Sequence, residues 1–465
     1  MTGSATAKVP PRFHTCLPSQ AFLMDVIKGA PTKGLSYNPN DAVYWDPKGL
    51  GEEILRVFEI CHGCRLCFNL CPSFPELFQA IDRHNGDVRA LSGSEIDRVI
   101  DTCYQCKLCY VKCPYTPDDQ HPFQLDFPRL LLRANSVRKR ERGLGLRERV
   151  LSRPEALGKV ARFTPRLANW ANRQPLMRRA LEKGLGIHKE KMLPEFHGEP
   201  FADWYRNQPS PAGDPTKAVL FTTCFVNYNN PDLGRDVVDV FSHNGIALGL
   251  PRQNCCGMPA MESGDIKLAR RMARDNVAAL LPHVQAGRKV LAINPTCSYM
   301  IRKEYGELVG TPEAREVAAA TMDICEYLFQ LKQDGKLNRD FRSTPESVAY
   351  HVPCHLKAQN IGFRSRDLMR LIPGTTVKMV DQCCGHDGTW AMRKEFFPLS
   401  MLAGKKAFEQ MQASAAKVFA TDCPLAAIQF HQAIGRRPIH PIQVLARAYR
   451  SDGFPKAIEV QTEKV

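Results

Sequence analysis

Two short cysteine-rich runs constrain this chain more than any other feature of its sequence. "CHGCRLCFNLCP" covers residues 61–72, and "CYQCKLCYVKCP" has the same spacing over residues 103–114. The pattern C-x2-C-x2-C-x3-C-P is typical of two-cluster ferredoxins, in which three thiolates of a run bind one [4Fe–4S] cluster and the fourth binds the other. We therefore predict two clusters, the first bound by Cys61, Cys64, Cys67 and Cys113, and the second by Cys103, Cys106, Cys109 and Cys71.

Structural zinc sites are the alternative interpretation of these cysteines. Zinc sites usually pair two CxxC units that lie apart in the sequence, whereas each run here has three cysteines in two overlapping CxxC steps. Because this spacing occurs twice, it favours iron–sulfur clusters. The residues between the runs have helical periodicity, and Ser92 with Glu95 fits a capping box. The segment resembles a helical ferredoxin.

The chain has 18 cysteines among 465 residues, and their meaning depends on the cellular compartment. The first fifteen residues lack the apolar stretch of a secretory signal, and no run of about 18 apolar residues could form a membrane span. Cytosolic thiols stay reduced, so closely spaced cysteines there indicate metal binding or catalysis. We expect a cytoplasmic protein, with a peripheral position on the inner membrane as the alternative.

Residues 133–191 carry most of the excess positive charge. This segment has 17 Lys and Arg against 5 Glu and no Asp, so it contributes +12 of the total net charge of +15. Its apolar residues have helical spacing, and Pro154, Pro165 and Pro175 divide it into short helices. The segment is interpreted as a connector or subunit-docking surface, or as an amphipathic surface on an anionic membrane. Nucleic acid is not expected as a partner, because aromatic residues are sparse and no nucleic-acid fold is evident.

The rest of the chain contains an internal repeat. "AVLFTTC", "NCCGMP" and "KVLAINPTC" in the first half correspond to "SVAYHVPC", "QCCGHD" and "KVFATDC" in the second. The intervals between cysteine groups are 30 and 40 residues in the first half, and 28 and 38 in the second. Short apolar runs alternate with helical patterns, which predicts a parallel sheet in each half. The repeated cysteines are Cys224, Cys255, Cys256 and Cys297, followed by Cys354, Cys383, Cys384 and Cys423.

Four of these cysteines come at or just after predicted strands, where ligands of open α/β sheets bind. The glycine after each cysteine pair would let the backbone fold closely around a bulky ligand. A single cysteine of this kind usually behaves as a buried apolar side chain. Two matching sets of four cysteines instead predict a metal or cluster site in at least one half. His355 and His386 flank the second set. We interpret them either as structural residues or as residues that tune the reduction potential of a cluster through hydrogen bonds. Cys16 and Cys325 fit neither pattern and are interpreted as ordinary residues.

Several stretches give the chain a more specific resemblance. "NCCGMPA", "YHVPCH", "QCCGHDGT" and the basic "MRRALEKGLGIHKEKMLPEF" resemble those of the CCG-domain iron–sulfur oxidoreductase family. That family includes the C subunit of anaerobic glycerol-3-phosphate dehydrogenase and the B and D subunits of heterodisulfide reductase. The resemblance implies an iron–sulfur subunit that relays single electrons between a flavoprotein dehydrogenase and a quinone or other acceptor. A rubrerythrin-linked electron-transfer protein is another implied relative.

The chain departs from this family once in each half. Members that bind a paired, non-cubane cluster end each CCG unit in CxxC, but Met300 and Ala426 occupy the second cysteine position here. Each half therefore offers four thiolates, enough for one cubane [4Fe–4S] cluster or one zinc ion. This departure disfavours an alternative function, a self-contained thiol–disulfide reductase. A third possibility, a zinc-stabilised interaction scaffold, is disfavoured by the ferredoxin runs.

No flavin or nucleotide fingerprint is evident, since no G-x-G-x-x-G follows a predicted strand and no P-loop motif is found. We therefore expect no bound flavin and no independent dehydrogenase activity. A flavoprotein dehydrogenase subunit or a rubrerythrin-like protein would be the redox partner.

These patterns together predict an α+β multidomain protein with a helical ferredoxin followed by an α/β domain of two CCG repeats. A linker rich in Pro, Gly and Asp is predicted at residues 201–217. The predicted parts are an N-terminal extension (1–49), the ferredoxin region (50–135), the basic connector (136–216), repeat 1 (217–340), repeat 2 (341–450) and a C-terminal tail (451–465).

Overall fold

The computed structural model describes two stretches of the chain, residues 29–209 and 213–454. Cys16, which the sequence analysis treats as an ordinary residue, lies outside both. In the described residues the strands form two parallel sheets of three strands each. No helix within these stretches is long and apolar enough to cross a bilayer.

The ferredoxin region is helical, as its periodicity predicts. Asp46 caps the first helix, where its carboxylate accepts hydrogen bonds from two backbone amides. Ser92 and Glu95 form the predicted capping box at the start of the third helix. The helices are α1 (Pro47–Cys64), α2 (Ser73–Arg83), α3 (Gly93–Thr102), α4 (Leu108–Lys112) and α5 (Phe127–Arg142), with 3₁₀ turns at Ala42–Trp45 and Val88–Ala90.

A buried arginine fastens the segment before α1 to α5. Arg133 is fully buried, and its guanidinium donates to the backbone carbonyls of Gly34 at 2.6 Å, Tyr44 at 2.8 Å and also Val43. Helix α5 continues past residue 135, where the ferredoxin region was predicted to end. Arg133 is included in the basic segment predicted from the sequence, but its guanidinium is buried and donates to backbone carbonyls, so it does not contribute to a charged surface.

The basic connector consists of short helices, and those at Pro154, Pro165 and Pro175 begin at a proline, as predicted. Proline suits the first helical position because the missing N–H has no partner there in any case. Two of the connector's cations, Arg178 and Lys191, are buried, so they do not belong to its charged surface. The helices are α6 (Leu146–Leu151), α7 (Pro154–Ala161), α8 (Pro165–Arg173) and α9 (Pro175–Leu185).

The predicted linker at residues 201–217 is only partly a linker. Helix α10 (Phe201–Asn207) occupies its first part, and Phe201 is fully buried in the core of repeat 1. The ring packs so closely on Gly234 that a Cβ there would lie 2.4 Å from it. The linker prediction was therefore wrong for these residues, because their burial depends on a distant glycine rather than on local composition.

Repeat 1 forms a parallel sheet in the order β1-β2-β3. Leu220 of the first strand lies opposite Leu291, and Leu291 lies opposite Met322. The strands are β1 (Ala218–Phe221), β2 (Lys289–Ala292) and β3 (Thr321–Asp323). The helices are α11 (Cys224–Asn229), α12 (Pro231–His243), α13 (Met258–Glu262), α14 (Ile266–Gln285), α15 (Pro295–Tyr299), α16 (Tyr305–Val309), α17 (Pro312–Ala320) and α18 (Ile324–Gln333), with a π-helical turn at Met300–Glu304.

Repeat 2 forms a second parallel sheet in the order β5-β4-β6. A parallel bridge between Val219 and Gly249 extends the first sheet beside β1, and one between Ala420 and Ile439 extends the second beside β6. With these additions both sheets have the same order, which fits a duplicated unit. The strands are β4 (Ser347–His351), β5 (Thr376–Val380) and β6 (Val418–Thr421), and the helices are α19 (Cys354–Lys357), α20 (Arg364–Met369), α21 (Phe397–Ala413), α22 (Pro424–Ile434) and α23 (Pro441–Tyr449), with a 3₁₀ turn at Trp390–Met392.

The two repeats share a hydrophobic core. Leu291 and Ile293 from repeat 1 pack in one buried cluster with Val348, Tyr350 and Ile442 from repeat 2. Cysteines follow the carboxyl ends of β1, β2, β4 and β6, where the sequence predicts ligand sites.

Candidate metal centres

The first predicted set of ferredoxin thiols lines one cavity. Cys61 and Cys64 lie in the last turn of α1, which ends where Arg65 adopts a left-handed conformation (φ 50°). Cys67 and the distant Cys113 complete the set around the same cavity. Burial raises the pKa of Cys61 well above its ordinary value, and the thiols of Cys67 and Cys113 raise it further. These thiols would need a bound cation to ionise together.

The second predicted set lines a separate cavity. The loop that carries it turns at Gln105 and Lys107, both left-handed (φ 57° and 64°). The Gln105 side-chain amide lies 3.4 Å from the Cys103 sulfur, toward which it can donate. Burial raises the pKa of Cys103 to about 11. The cavity is bordered by Cys71, Cys103, Cys106 and Cys109.

Each set takes three cysteines from one run and the last cysteine from the other. This exchange is the grouping predicted from the ferredoxin spacing. Four thiolates per cavity fit the donor set of a [4Fe–4S] cluster, and hydrogen bonds to sulfur are a known influence on cluster potential. The backbone amides of Ser73 and Phe74 donate to Cys71, which partly offsets the larger effect of burial in raising the pKa of that thiol.

The four cysteines of repeat 1 converge at the carboxyl end of its sheet. The sulfurs of Cys224 and Cys255 are 3.9 Å apart. The hydrogen bond with Cys255 raises the pKa of Cys224, and hydrogen bonds with Cys255 and Cys297 raise that of Cys256. Thr223, just before Cys224, has a φ of 72°, which is strained for a β-branched residue. The strain fits a loop shaped for a site.

Polar side chains from three parts of the chain hold the cysteine pair of repeat 1. The Asn276 amide donates to the Cys255 carbonyl at 3.1 Å, and the Tyr305 hydroxyl donates to the Cys256 carbonyl at 3.0 Å. Glu155, from connector helix α7, accepts from the Cys255 backbone amide at 2.7 Å. No local pattern in the sequence links these residues to the cysteines, so their role could not be predicted from it.

The four cysteines of repeat 2 converge in the same way. Cys354 begins α19 just after β4, and Cys423 follows β6. Burial raises the pKa of Cys384 well above its ordinary value, with further contributions from Cys383 and Cys423. The backbone amide of Gly385 donates to the Cys383 sulfur at 3.2 Å.

The glycine after each cysteine pair has a conformational reason. Gly257 and Gly385 both have positive φ, 92° and 72°, which favours glycine. A Cβ on Gly385 would lie 1.9 Å from the carbonyl oxygen of Ser400 in α21. The close approach described by the structure is therefore to a helix backbone, whereas the sequence analysis expected an approach to a ligand.

The two positions that depart from CxxC are packed in apolar cores. Met300 is fully buried in the cluster that also contains Cys297. Ala426 is 2% exposed and packs in the cluster that contains Cys384. Neither residue supplies a thiolate, so each repeat offers the four sulfurs counted from the sequence.

The second ferredoxin set touches the cysteines of repeat 2. The Tyr104 hydroxyl lies 3.2 Å from the Cys383 sulfur, and its ring centroid is 5.0 Å from that of Trp390. Cys71, Cys106 and Cys354 pack around the same two aromatic rings. This contact joins the second ferredoxin cavity to repeat 2 through a few side chains.

His355 ties three parts of the molecule together. Its Nε2 faces the backbone carbonyl of Gln105 at 3.2 Å, and its Nδ1 faces the Thr296 hydroxyl at 3.0 Å. Burial lowers the pKa of His355, which keeps the ring neutral so that Nε2 donates to the carbonyl and Nδ1 accepts. Burial raises the pKa of the neighbouring Asp387 and Glu262 to about 8 each. The environment between the ferredoxin region and the repeats thus favours uncharged groups.

A connector lysine lies beside the site of repeat 2. Lys191 is 2% exposed, and its ammonium donates to the Gln429 side chain. Burial lowers the pKa of Lys191 to about 8, whereas Cys384 acts in the opposite direction. His386 is also buried there, and in the described part of the chain neither of its ring nitrogens has a hydrogen-bond partner.

Cys325 lies apart from both repeated sets, in a buried group with two carboxyls. Its sulfur and one oxygen each from Asp323 and Asp422 lie within 4.8 Å of one another. Asp422 already accepts hydrogen bonds from Tyr350 at 2.5 Å and from Ser365. The group is part of the core between the repeats.

Two known domain families match the regions of the chain that contain the cysteine-rich runs and the repeated cysteine sets. The 4Fe–4S dicluster domain matches residues 53–121. The cysteine-rich domain named CCG matches residues 218–302 and again residues 348–431. The second match bears out the internal repeat.

Several known proteins have sequences similar to this chain. The C subunit of anaerobic glycerol-3-phosphate dehydrogenase from Escherichia coli (strain K12) is 31% identical over 310 residues, which cover 65% of this chain and 77% of that protein. The B subunit of fumarate reductase (CoM/CoB) from Methanothermobacter marburgensis is 25% identical over 231 residues, 49% of this chain and 44% of that protein. Lactate utilization protein A 2 of Bacillus cereus is 28% identical over 200 residues, 41% of this chain and 79% of that protein.

Proposed function

Because this chain belongs to the CCG-domain iron–sulfur family that includes the C subunit of anaerobic glycerol-3-phosphate dehydrogenase, we propose that it is the electron-relay subunit of an oxidoreductase complex. It would carry single electrons from a flavoprotein dehydrogenase to a quinone or another acceptor. Bound iron–sulfur clusters supply the one-electron chemistry, and a flavin on the partner would supply the two-electron step. This chain's cysteines would hold the clusters, and neighbouring residues would set the hydrogen bonds to the ligand sulfurs.

The observation that carries this proposal is the contact between the second ferredoxin set and repeat 2. A relay needs neighbouring redox sites, and Tyr104 with Trp390 packs against cysteines of both sets. The Tyr104 hydroxyl reaches the Cys383 sulfur directly. We therefore infer that electrons pass between the ferredoxin region and repeat 2 at this contact.

The proposal assigns two [4Fe–4S] clusters to the eight ferredoxin cysteines. Each repeat would hold a conventional cluster or one zinc ion on its four cysteines, since Met300 and Ala426 supply no fifth thiolate. These four-thiolate sets favour electron relay over direct disulfide reduction at a paired cluster. Burial raises the pKa of Cys354 and Cys384, so these thiols would bind as thiolates only when the positive charge of the metal compensates them.

The connector is proposed to contact an anionic membrane surface. Helix α8 has no buried residue, and Phe163, just before it, is 80% exposed. Val160 and Trp170 are also exposed, and the Arg162 guanidinium lies 5.5 Å from the Phe163 ring centroid. Apolar side chains among cations match the interface of an anionic bilayer. Each cation near such a surface contributes about 1 kcal/mol, which salt reduces.

The membrane proposal is tested by pelleting with vesicles. Wild-type protein should pellet with anionic vesicles at low salt, and Phe163→Glu with Trp170→Glu should abolish the effect. Leu402→Glu is the matched control, because Leu402 is 67% exposed on α21 in repeat 2. If all three proteins pellet equally, or if the wild type pellets equally with neutral vesicles, the membrane proposal is refuted. The connector would then be interpreted as a protein-docking surface.

The relay proposal is tested by anaerobic optical bleaching. Reconstituted protein should contain about eight irons from its ferredoxin region, at four per cluster, and dithionite should bleach them. Glycerol 3-phosphate, lactate or glycolate should bleach the clusters only after a flavoprotein dehydrogenase for that substrate is added. Bleaching of the flavin-free chain by a substrate alone would show an independent enzyme and refute the proposal. Stoichiometric zinc without iron would refute the cluster assignment.

A further inference from the structure

A large basic groove lies where the ferredoxin region, the connector and repeat 1 meet. Its volume is about 1170 Å³, and its lining contains seven Lys and Arg but only two Asp. None of the candidate cysteine ligands lines it. The groove therefore needs an explanation separate from the metal centres.

One wall of the groove is a cationic stripe on helix α14. Lys267, Arg271 and Arg274 line it at positions i, i+4 and i+7, which follow one face of the helix over about 10 Å. The two carboxylates of the groove are engaged elsewhere. Asp265 caps α14 by accepting from a backbone amide, and Asp275 accepts from the Asn254 side chain at 3.0 Å.

Helix α5 also lines the groove, and an aromatic ring lies beside it. Lys139 and Arg140 line it, and the Arg140 guanidinium lies 4.9 Å from the centroid of the Trp45 ring. Leu144 and Leu268 also line the groove and supply apolar surface. The groove thus matches a ligand that carries several negative charges together with apolar groups.

The size and shape of the groove indicate which class of anionic ligand it can hold. Pockets for small molecules and cofactors usually enclose about 300–1,000 Å³, so this open groove is larger than most of them. A flat bilayer surface cannot enter a concave groove, and inorganic polyphosphate would leave the apolar lining residues unused. An extended peptide with acidic and apolar side chains uses both features, because its side chains alternate in direction.

The groove also lies close to the second ferredoxin set. Ser136 lines the groove, and Asn135, its neighbour on α5, lines a small cavity together with Cys103 and Tyr104. A protein segment seated in the groove would therefore bring its parent protein next to the redox centre. This position suits a redox partner better than a protein without electron-transfer function.

We propose that this groove, lined by α5, α14 and Trp45, is the docking site for an acidic, extended segment of the redox partner. The identity of the occupant as a redox partner rests on the proposed relay function. The acidic and apolar character of the segment rests only on the groove.

The test measures binding of a fluorescein-labelled peptide of repeating Glu-Leu-Glu-Ser to the full cluster-loaded chain by fluorescence anisotropy. Arg271→Glu with Arg274→Glu should weaken binding about tenfold at low salt, because two attractive contacts become repulsive. Lys405→Glu with Lys406→Glu on α21 changes the net charge equally and should alter binding by less than about twofold. A Lys-Leu-Lys-Ser peptide should not bind.

Three results would overturn the proposal. They are equal weakening in both double variants, no binding of the acidic peptide to wild-type protein, or displacement of the peptide by anionic vesicles from the variant Phe163→Glu with Trp170→Glu, whose connector no longer binds them. Iron content and dithionite bleaching are measured on the same samples and confirm that the variants are folded. Loss of clusters or of bleaching in wild-type protein would count against the relay function, whereas the peptide titration tests the groove alone.

Discussion

Removal of the Tyr104 hydroxyl tests the contact on which the relay proposal depends. In Tyr104→Phe the ring can still pack on Trp390, but the hydroxyl 3.2 Å from the Cys383 sulfur is lost. A donor to a ligand sulfur stabilises the reduced, more negative cluster, so its loss should lower the reduction potential of a cluster in repeat 2. Clusters in the ferredoxin region that lack this bond should change less.

The expected size follows from hydrogen-bond energies. A hydrogen bond to a charged group contributes about 1.5–3 kcal/mol, of which roughly 1 kcal/mol would differ between oxidation states. Since 59 mV corresponds to about 1.4 kcal/mol for one electron, the potential should fall by about 40 mV. The hydroxyl also lies 3.4 Å from the Leu70 carbonyl, and a share of its hydrogen bond given to that oxygen would reduce the shift.

The assay is an anaerobic redox titration followed by electron paramagnetic resonance. Tyr205→Phe is the matched control, because its hydroxyl donates to the backbone carbonyl of Leu248 and touches no candidate ligand. An unchanged repeat 2 potential in Tyr104→Phe, or an equal shift in Tyr205→Phe, would refute the reasoning. The same titration shows whether repeat 2 contains a redox-active cluster at all.

Three further predictions concern buried residues. Burial lowers the pKa of Lys191 from 10.5 to about 8, so in iron-free protein the charged lysine is penalised only in the folded state. The contribution of Lys191 to the free energy of unfolding should fall by about 3 kcal/mol as the pH drops from 10.5 to 8, measured in urea titrations as the difference between wild type and Lys191→Met, because the buried cysteines titrate in both proteins. Met300→Cys with Ala426→Cys completes both CxxC motifs and should produce a paired-cluster signature in Mössbauer spectra, and spectra identical to wild type would contradict this. Arg133→Met should lower the free energy of unfolding by about 3 kcal/mol in urea, because buried carbonyls lose a charged donor, and a loss below about 1 kcal/mol would contradict it.

Much of the architecture could be predicted because its signals are local. The ferredoxin spacing, the capping box at Ser92 and the proline-initiated helices each depend on residues a few positions apart. The parallel sheets and the two sets of four cysteines could be predicted because the unit occurs twice, so each half supports the interpretation of the other. At Phe201 the local composition gave a wrong prediction of a linker, because the burial of this side chain depends on residues that are distant in the sequence.

The sequence by itself determined which thiols are grouped as candidate ligands, because their spacing follows a known coordination pattern. Only the tertiary structure decided what surrounds those thiols. Tyr104 and Cys383 are 279 positions apart, and Lys191 reaches repeat 2 from the connector. The basic groove likewise combines residues from three parts of the chain. No local periodicity records such contacts, since they arise only when separately folded segments pack and bring their polar groups out of water together.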